Sequence, residues 1–369
     1  MNSCISAIGI ANPDNRIAQK DIYQFMVNAF GLDATNAARL KSIYDNSGID
    51  YRYSVIPDFG VSDASQYTFF EQTENLEPFP DTKKRLKLYE KEAIAIAVNA
   101  VKNCLSDFED GILQQITHLI TISCTGMHAP GIDIELVEKL NLNRDTERTC
   151  INFMGCYGAI NGLKVADYIC RADPEAKVLV VSVELCTLHF QKDNTLDNWV
   201  ANSLFSDGAA AVLVENSGNR LGKGTYLSLK NFYSEFVSEA RNEMGWYVGN
   251  TGFEMKLTSQ VSKQIKKNIR ALTSRFLQKA KVDAGQITAY AVHPGGRKIL
   301  EAVESALELP EESNAFAYQT LQEYGNMSSA TILFVLQKML AAQNLTGQKI
   351  MSFAFGPGLT VEGMILEMH

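Results

Sequence analysis

The chain has no C-x-x-C pair and no cluster of Cys and His, which leaves no zinc site of ordinary spacing. Its seven cysteines are an odd number, and most sit in apolar runs. A secreted disulfide framework is therefore not expected, and a reducing compartment fits better. No apolar run reaches the roughly 18–20 residues that a membrane span needs. No Lys/Arg run suggests a nucleic-acid surface, and the formal net charge is −8. The opening M-N-S-C-I-S-A-I-G-I-A-N-P lacks the basic start and long apolar core of a secretory signal. There is no low-complexity segment and no nicotinamide, flavin or metal motif. These absences point to a cytoplasmic enzyme or binding protein, without metal or bound cofactor and without membrane or nucleic-acid partners.

What remains is an ordinary globular composition, 46% hydrophobic and 21% charged over 369 residues. Short unbroken apolar runs predict buried strands at Leu119–Ser123, Val178–Leu185, Ala209–Glu215, Ala289–His293, Ile350–Phe355 and Val361–Met368. Helical periodicity lies between them, at Lys84–Leu105, Tyr157–Ala172, Ser259–Lys279 and Ser328–Ala342. The alternation predicts an α/β fold with a central sheet covered on both faces. A faint internal echo is visible. Cys156 leads into a helix and then V-L-V-V-S; Asn326 leads into a helix and then I-M-S-F-A-F. Two similar halves would produce it, 1–220 and 221–369, divided at the polar stretch Asn216–Lys223.

Three residues stand out as chemistry. Cys156, in M-G-C-Y-G-A, is close to glycines and precedes a helix. A free cysteine is most often a small buried hydrophobe. A thiol at a helix N-terminus, however, feels a positive dipole that favours thiolate, and backbone N–H groups there can hold a thioester oxygen. His293, in A-V-H-P-G-G, follows a strand and leads into a tight turn, at the edge where α/β proteins build sites. A satisfied strand-end histidine is the bland alternative. Asn326, in Y-G-N-M-S-S-A, would by itself pass for a helix cap. Together a thiol, an imidazole and an amide suit acyl-thioester chemistry.

Around these segments the chain resembles the type III polyketide synthases, the chalcone and stilbene synthase family of the thiolase superfamily. The resemblance rests on C-T-G-M-H-A-P-G, M-G-C-Y-G-A, S-L-F-S-D-G-A-A-A, H-P-G-G, G-N-M-S-S-A and F-G-P-G-L-T-V-E, which fall in family order. It implies a thiolase-like layered αβαβα fold and a homodimer acting on acyl-CoA and malonyl-CoA. It implies Cys156 as nucleophile, stabilised as thiolate by His293 in imidazolium form, with Asn326 completing the triad. Phe205 matches a gate residue, and Gly356, Pro357 and Gly358 match a loop of the cavity wall. Ser328 belongs to the same substrate-binding set, and Gly295 and Gly296 to the CoA side.

The departures carry information too. Met255 stands at the second gate position. Cys124, Cys186 and His189 replace threonines of the plant pocket, and Ala354 replaces a glycine. Arg39 and Lys41 are the nearest matches to the family's CoA-phosphate residues, while Asn46 replaces a lysine. A phenylpropanoid pocket is not preserved, so an aliphatic starter is expected, closing to a pyrone, resorcinol or phloroglucinol-type product. His189 pulls the other way, since a bulky polar wall would favour short starters. Lys164, in the helix after the thiol, is expected at the surface. Ketoacyl synthase III enzymes share the triad but usually lack P-G-G after the histidine. Hydroxymethylglutaryl-CoA synthases need a glutamate acid. A non-catalytic binding homologue is the alternative from another class.

Overall fold

The computed structural model describes residues 3–310 and 312–369. The first half runs β1 (Ser3–Ala11), β2 (Asn15–Ala18), α1 (Gln19–Phe30), α2 (Ala34–Asp45), β3 (Tyr51–Ser54), α3 (Thr82–Cys104), β4 (His118–Ser123), α4 (Ile132–Lys139), β5 (Glu147–Asn152), α5 (Gly158–Ala172), β6 (Lys177–Leu185), α6 (Leu196–Leu204) and β7 (Asp207–Asn216). The second half runs β8 (Leu227–Phe236), β9 (Met244–Gly249), β10 (Gly252–Leu257), α7 (Gln260–Ala280), β11 (Ile287–Val292), α8 (Arg297–Leu307), α9 (Ala315–Tyr324), α10 (Thr331–Ala341), β12 (Lys349–Gly356) and β13 (Thr360–Met368). The polar stretch after Asn216 lies where the chain crosses from one half to the other.

Among the described residues, nine strands form one sheet in the order β11-β12-β13-β8-β1-β7-β6-β4-β5. Its two sides repeat each other. From the centre outward, β1-β7-β6-β4 corresponds to β8-β13-β12-β11. The last two strands run parallel in both, β4 with β6 and β11 with β12, while the others pair antiparallel. The halves join through β1 and β8, at Cys4–Ser228 and Ile5–Leu227. The echo between the Cys156 and Asn326 segments is thus a repeated topology. The first half carries one more strand, β5, an edge strand whose residues are mostly exposed.

Side-chain alternation explains the layers. Along β4, β6 and β7, Leu119, Leu179, Val181 and Leu213 share a core with Ala97, Ala100 and Val101 of α3. Their neighbours Ile120, Ile122, Val178, Val180 and Val212 point to the opposite face, into a core with Ala159, Ile160 and Leu163 of α5. That second core also holds α10, whose residues 331–336 are all buried. A helix apolar on all sides belongs to a middle layer. The α/β, thiolase-like architecture expected from the sequence is the one observed.

Candidate active site

The middle layer brings two helix N-termini together. Cys156 lies in a single 3-10 turn, Gly155–Tyr157, that runs directly into α5. Asn326 precedes a matching turn, Ser328–Ala330, that runs into α10. The two turns lie against each other. A Cβ built on Gly158, at the start of α5, would lie 3.5 Å from Ser329 Cβ, and Ser329 Oγ is also 2.9 Å from Ser182 Oγ on β6. Each turn opens on a left-handed residue, with φ of 77° at Gly155 and 49° at Ser328. At Gly155 a side chain is also excluded by space, since its Cβ would come within 2.3 Å of Pro357 Cδ. At Ser328 the conformation is strained, and its N–H is fixed by Asn326 Oδ1 at 2.9 Å.

The Cys156 thiol is buried, which pushes its pKa up to about 12, and nearby Glu184 adds to the rise. Hydrogen bonds from Ser328, its own backbone N–H and Asn326 pull the other way. His293 follows β11, its backbone N–H donating to Phe353 O at 2.8 Å. Neither ring nitrogen has a hydrogen-bond partner, and burial brings its pKa down to about 3. Burial disfavours the charged form of both groups, thiolate and imidazolium alike. Moving the thiol proton to the imidazole would create both charges at once, so that each offsets the other's desolvation.

Gly295 links His293 to Asn326. Its carbonyl accepts from Asn326 Nδ2 at 3.2 Å, and a Cβ built on it would lie 3.7 Å from His293 Nε2. The Asn326 backbone is fixed as well, donating to Leu204 O and accepting from Ser206 N, each at 2.9 Å. Phe205 is thereby bridged directly to Asn326.

A cavity of about 370 Å³ contains the thiol. Of the residues expected there, Cys124, Cys186, Phe205, Met255, Ser328 and Pro357 line it. Gly356 and Gly358 flank Pro357 in its turn; a Cβ on Gly356 would strike the Tyr157 ring at 2.6 Å. His293 and Asn326 lie outside the lining residues, behind Ser328 and Gly295. His189 lines a second cavity instead. Its Nε2–H donates to Thr125 O at 2.7 Å, Phe253 N–H donates to its Nδ1 at 2.9 Å, and its ring stacks on Phe253 at 4.2 Å. With both nitrogens occupied it is a neutral wall, its pKa lowered to about 3 by burial.

Arg39 and Lys41 sit exposed on α2 and line neither cavity. Lys41 is paired with Asp45 at 2.6 Å. Lys164 departs from expectation: it is part-buried and pairs with Glu362 at 2.7 Å. The sequence reading does not anticipate two neighbours of the site. Trp246 lines both cavities, and its indole N–H donates to Cys124 O at 2.7 Å. Glu184 lies buried beside the thiol. It accepts from Cys124 N and Thr125 Oγ1, both at 2.9 Å, and from Ser329 Oγ, and burial raises its pKa. Among the described residues, no group of three or more His, Cys, Asp or Glu is placed to hold a metal ion. No helix among them is long and apolar enough to cross a membrane.

The sequence matches the N-terminal domain of chalcone and stilbene synthases over residues 2–218 and the C-terminal domain over 228–368. Type III polyketide synthase A of Arabidopsis thaliana is 28% identical over 98% of this chain and 91% of its own length. A polyketide synthase of Dictyostelium discoideum is 29% identical over 99% of this chain, which spans only 11% of that longer protein. Among solved structures, PKS-I from the brown alga Ectocarpus siliculosus superposes with a TM-score of 0.91 at 29% identity, covering 100% of this chain and 98% of its own.

Proposed function

We propose, for a chain that belongs to the chalcone and stilbene synthase family and is a type III polyketide synthase, that Cys156, His293 and Asn326 carry its acyl transfer and condensation. One observation carries this reading: the buried thiol at the start of α5 and Ser328, in the turn that presents Asn326 at the start of α10, line one cavity. In the first step His293 accepts the thiol proton as the sulfur attacks a starter acyl-CoA, and CoA leaves as an acyl-Cys156 thioester forms. Malonyl-CoA then loses CO2. The resulting enolate oxygen accepts hydrogen bonds from His293 and Asn326, as in an oxyanion hole. The enolate carbon attacks the Cys156 thioester, and the lengthened chain stays on CoA until the thiol takes it back. Repeated cycles end in ring closure to a pyrone, resorcinol or phloroglucinol-type product.

The protein needs no metal or bound cofactor in this scheme and works in the cytoplasm as a homodimer. Arg39 and Lys41 meet the CoA phosphates, with Gly295 and Gly296 along the pantetheine path. The starter is an aliphatic acyl-CoA. Met255 at a gate position is unbranched and adaptable, and His189 offers the cavity no free polar atom. The test is incubation with malonyl-CoA and acetyl-, hexanoyl-, lauroyl- or coumaroyl-CoA, followed by mass spectrometry of products. Cyclised polyketides should form best from hexanoyl-CoA or longer; a clear preference for coumaroyl-CoA would overturn the starter assignment. Sedimentation at micromolar concentration should give about twice the 40.8 kDa chain mass.

A further inference from the structure

The chain as a whole is acidic, with 42 Asp and Glu against 34 Lys and Arg. Helix α7 is the opposite. From Lys256 to Val282 there is no Asp or Glu, while five lysines and two arginines fall between residues 260 and 281. Val261, Ile265, Ile269, Leu272 and Phe276 bury one side of α7. Lys263, Lys266, Lys267 and Arg270 stand exposed on the opposite side, as a stripe about 10 Å long. Arg270 pairs with Glu308 at 2.7 Å. The three lysines pair with no carboxylate among the described residues, and the other glutamates of α8 are engaged elsewhere. Glu301 pairs with Arg297 and Glu304 accepts from the Tyr318 hydroxyl, each at 2.8 Å.

The stripe begins beside the approach to the thiol. β10 puts Met255 in the wall of both cavities, and α7 starts soon after it. Leu257, between them, packs with Ile49 and Leu204. A Cβ built on Gly296, at the start of α8, would lie 3.4 Å from the Leu204 side chain. Arg270, midway along α7, reaches Glu308 at the end of α8, so both helices start at the Leu204 edge and run the same way. Lys256, Arg297 and Lys298 are exposed at that edge. Gly295 and Gly296, assigned to the pantetheine arm, thus lie where the two helices begin.

We propose that the basic face of α7 docks an acidic carrier protein that presents the starter acyl group as a thioester on a pantetheine arm. The proposal rests on the polyketide synthase reading and adds a second source of starter beside acyl-CoA. CoA concentrates its charge in phosphates at the end of the arm, whereas an acidic carrier spreads carboxylates over a surface. A row of unpaired cations along two helix turns complements the second arrangement. A lipid surface fits less well. Among the described residues no large apolar side chain is exposed on α7 or α8, so the face offers a bilayer no anchor. In the transfer itself the Cys156 sulfur attacks the acyl carbon, the bond from that carbon to the pantetheine sulfur breaks, and the thiol proton passes through His293 to the leaving sulfur.

The test loads a bacterial acyl carrier protein with hexanoyl-phosphopantetheine and follows acylation of Cys156 by mass, with hexanoyl-CoA as the reference donor. Lys263→Glu/Lys267→Glu should slow acylation from the carrier about tenfold or more, while changing that from hexanoyl-CoA less than about threefold. Lys279→Glu/Lys281→Glu, an equal change of charge at the other end of the helix, should leave both donors unaffected. Equal slowing with both donors would assign the stripe to CoA, and equal slowing in both variants would reduce it to net charge; either overturns the proposal. So would binding to phosphatidylglycerol vesicles that the Lys263→Glu/Lys267→Glu variant loses, with no acylation from the carrier. If hexanoyl-CoA acylates the wild type and the carrier does not, only the docking face fails; if neither donor does, the underlying function fails.

Discussion

The two halves of the molecule share a strand order and differ in what they place at the same point. Each sends a middle-layer helix into the centre, α5 in one and α10 in the other, and the helix starts meet at Gly158 and Ser329. The first half puts a thiol at its helix start. The second puts an amide just before its helix start and an imidazole after β11, tied together through Gly295. The turns that lead into the helices differ accordingly. Gly155 is wedged against Pro357 so that Cys156 faces the cavity, whereas Ser328 takes up a strained turn whose N–H holds Asn326 Oδ1. A repeated fold thus provides two equivalent helix starts, and the proposed reaction divides between them: acyl carriage in one half, enolate stabilisation in the other.

Mutating each half separately sharpens that division. Cys156→Ala has the largest expected effect: no polyketide above background, while malonyl-CoA is still decarboxylated because His293 and Asn326 remain. Loss of both activities together would mean that the halves do not act separately. Asn326→Ala should slow decarboxylation by about 10²–10³-fold, measured as CO2 release from labelled malonyl-CoA. A normal rate would reduce Asn326 to a helix cap. The coupling between the halves is read from alkylation of Cys156 against pH. With His293 present the thiol can hand over its proton; without it, burial, Glu184 and the neighbouring hydrogen bonds set the pKa. His293→Ala should therefore move the inflection upward by about a unit or more, and identical profiles would uncouple the two groups. The smallest effect is structural. Gly155→Ala adds a methyl where Pro357 already sits and forces a left-handed alanine, at a cost of about 1–3 kcal/mol. Thermal melting should show a drop of several degrees, and an unchanged Tm would mean that the turn relaxes freely.

Much of this is legible in the sequence wherever residues act through local pattern. The runs that become β4, β6, β7, β11, β12 and β13 are apolar because both of their faces are covered. The helices α3, α5, α7 and α10 announce themselves by spacing, with boundaries shifted by a few residues. The edge strand β5, E-R-T-C-I-N, carries no signal, because an exposed edge has no apolar face to bury. The strand β8 buries only its first three residues fully and escapes the sequence reading for the same reason. Glu184 is in plain view, a carboxylate inside the most apolar strand, and its partners Cys124, Thr125 and Ser329 explain it. Trp246 cannot be found from M-G-W-Y-V-G. Its role depends on the Cys124 carbonyl, 122 positions away in the chain. His189 stands out in the sequence as a wall residue, but its nitrogens are committed to Thr125 and Phe253, which the sequence alone does not reveal.

Three buried cysteines, Cys124, Cys156 and Cys186, line the cavity together, so the residue that carries the acyl group is the point on which the division between the halves rests. Incubation with hexanoyl-CoA in the absence of malonyl-CoA, followed by tryptic digestion and mass spectrometry, reads it directly. The acyl mass should appear on the peptide that contains Cys156. An adduct confined to the Cys124 or Cys186 peptide, or full activity in Cys156→Ala, would contradict the assignment.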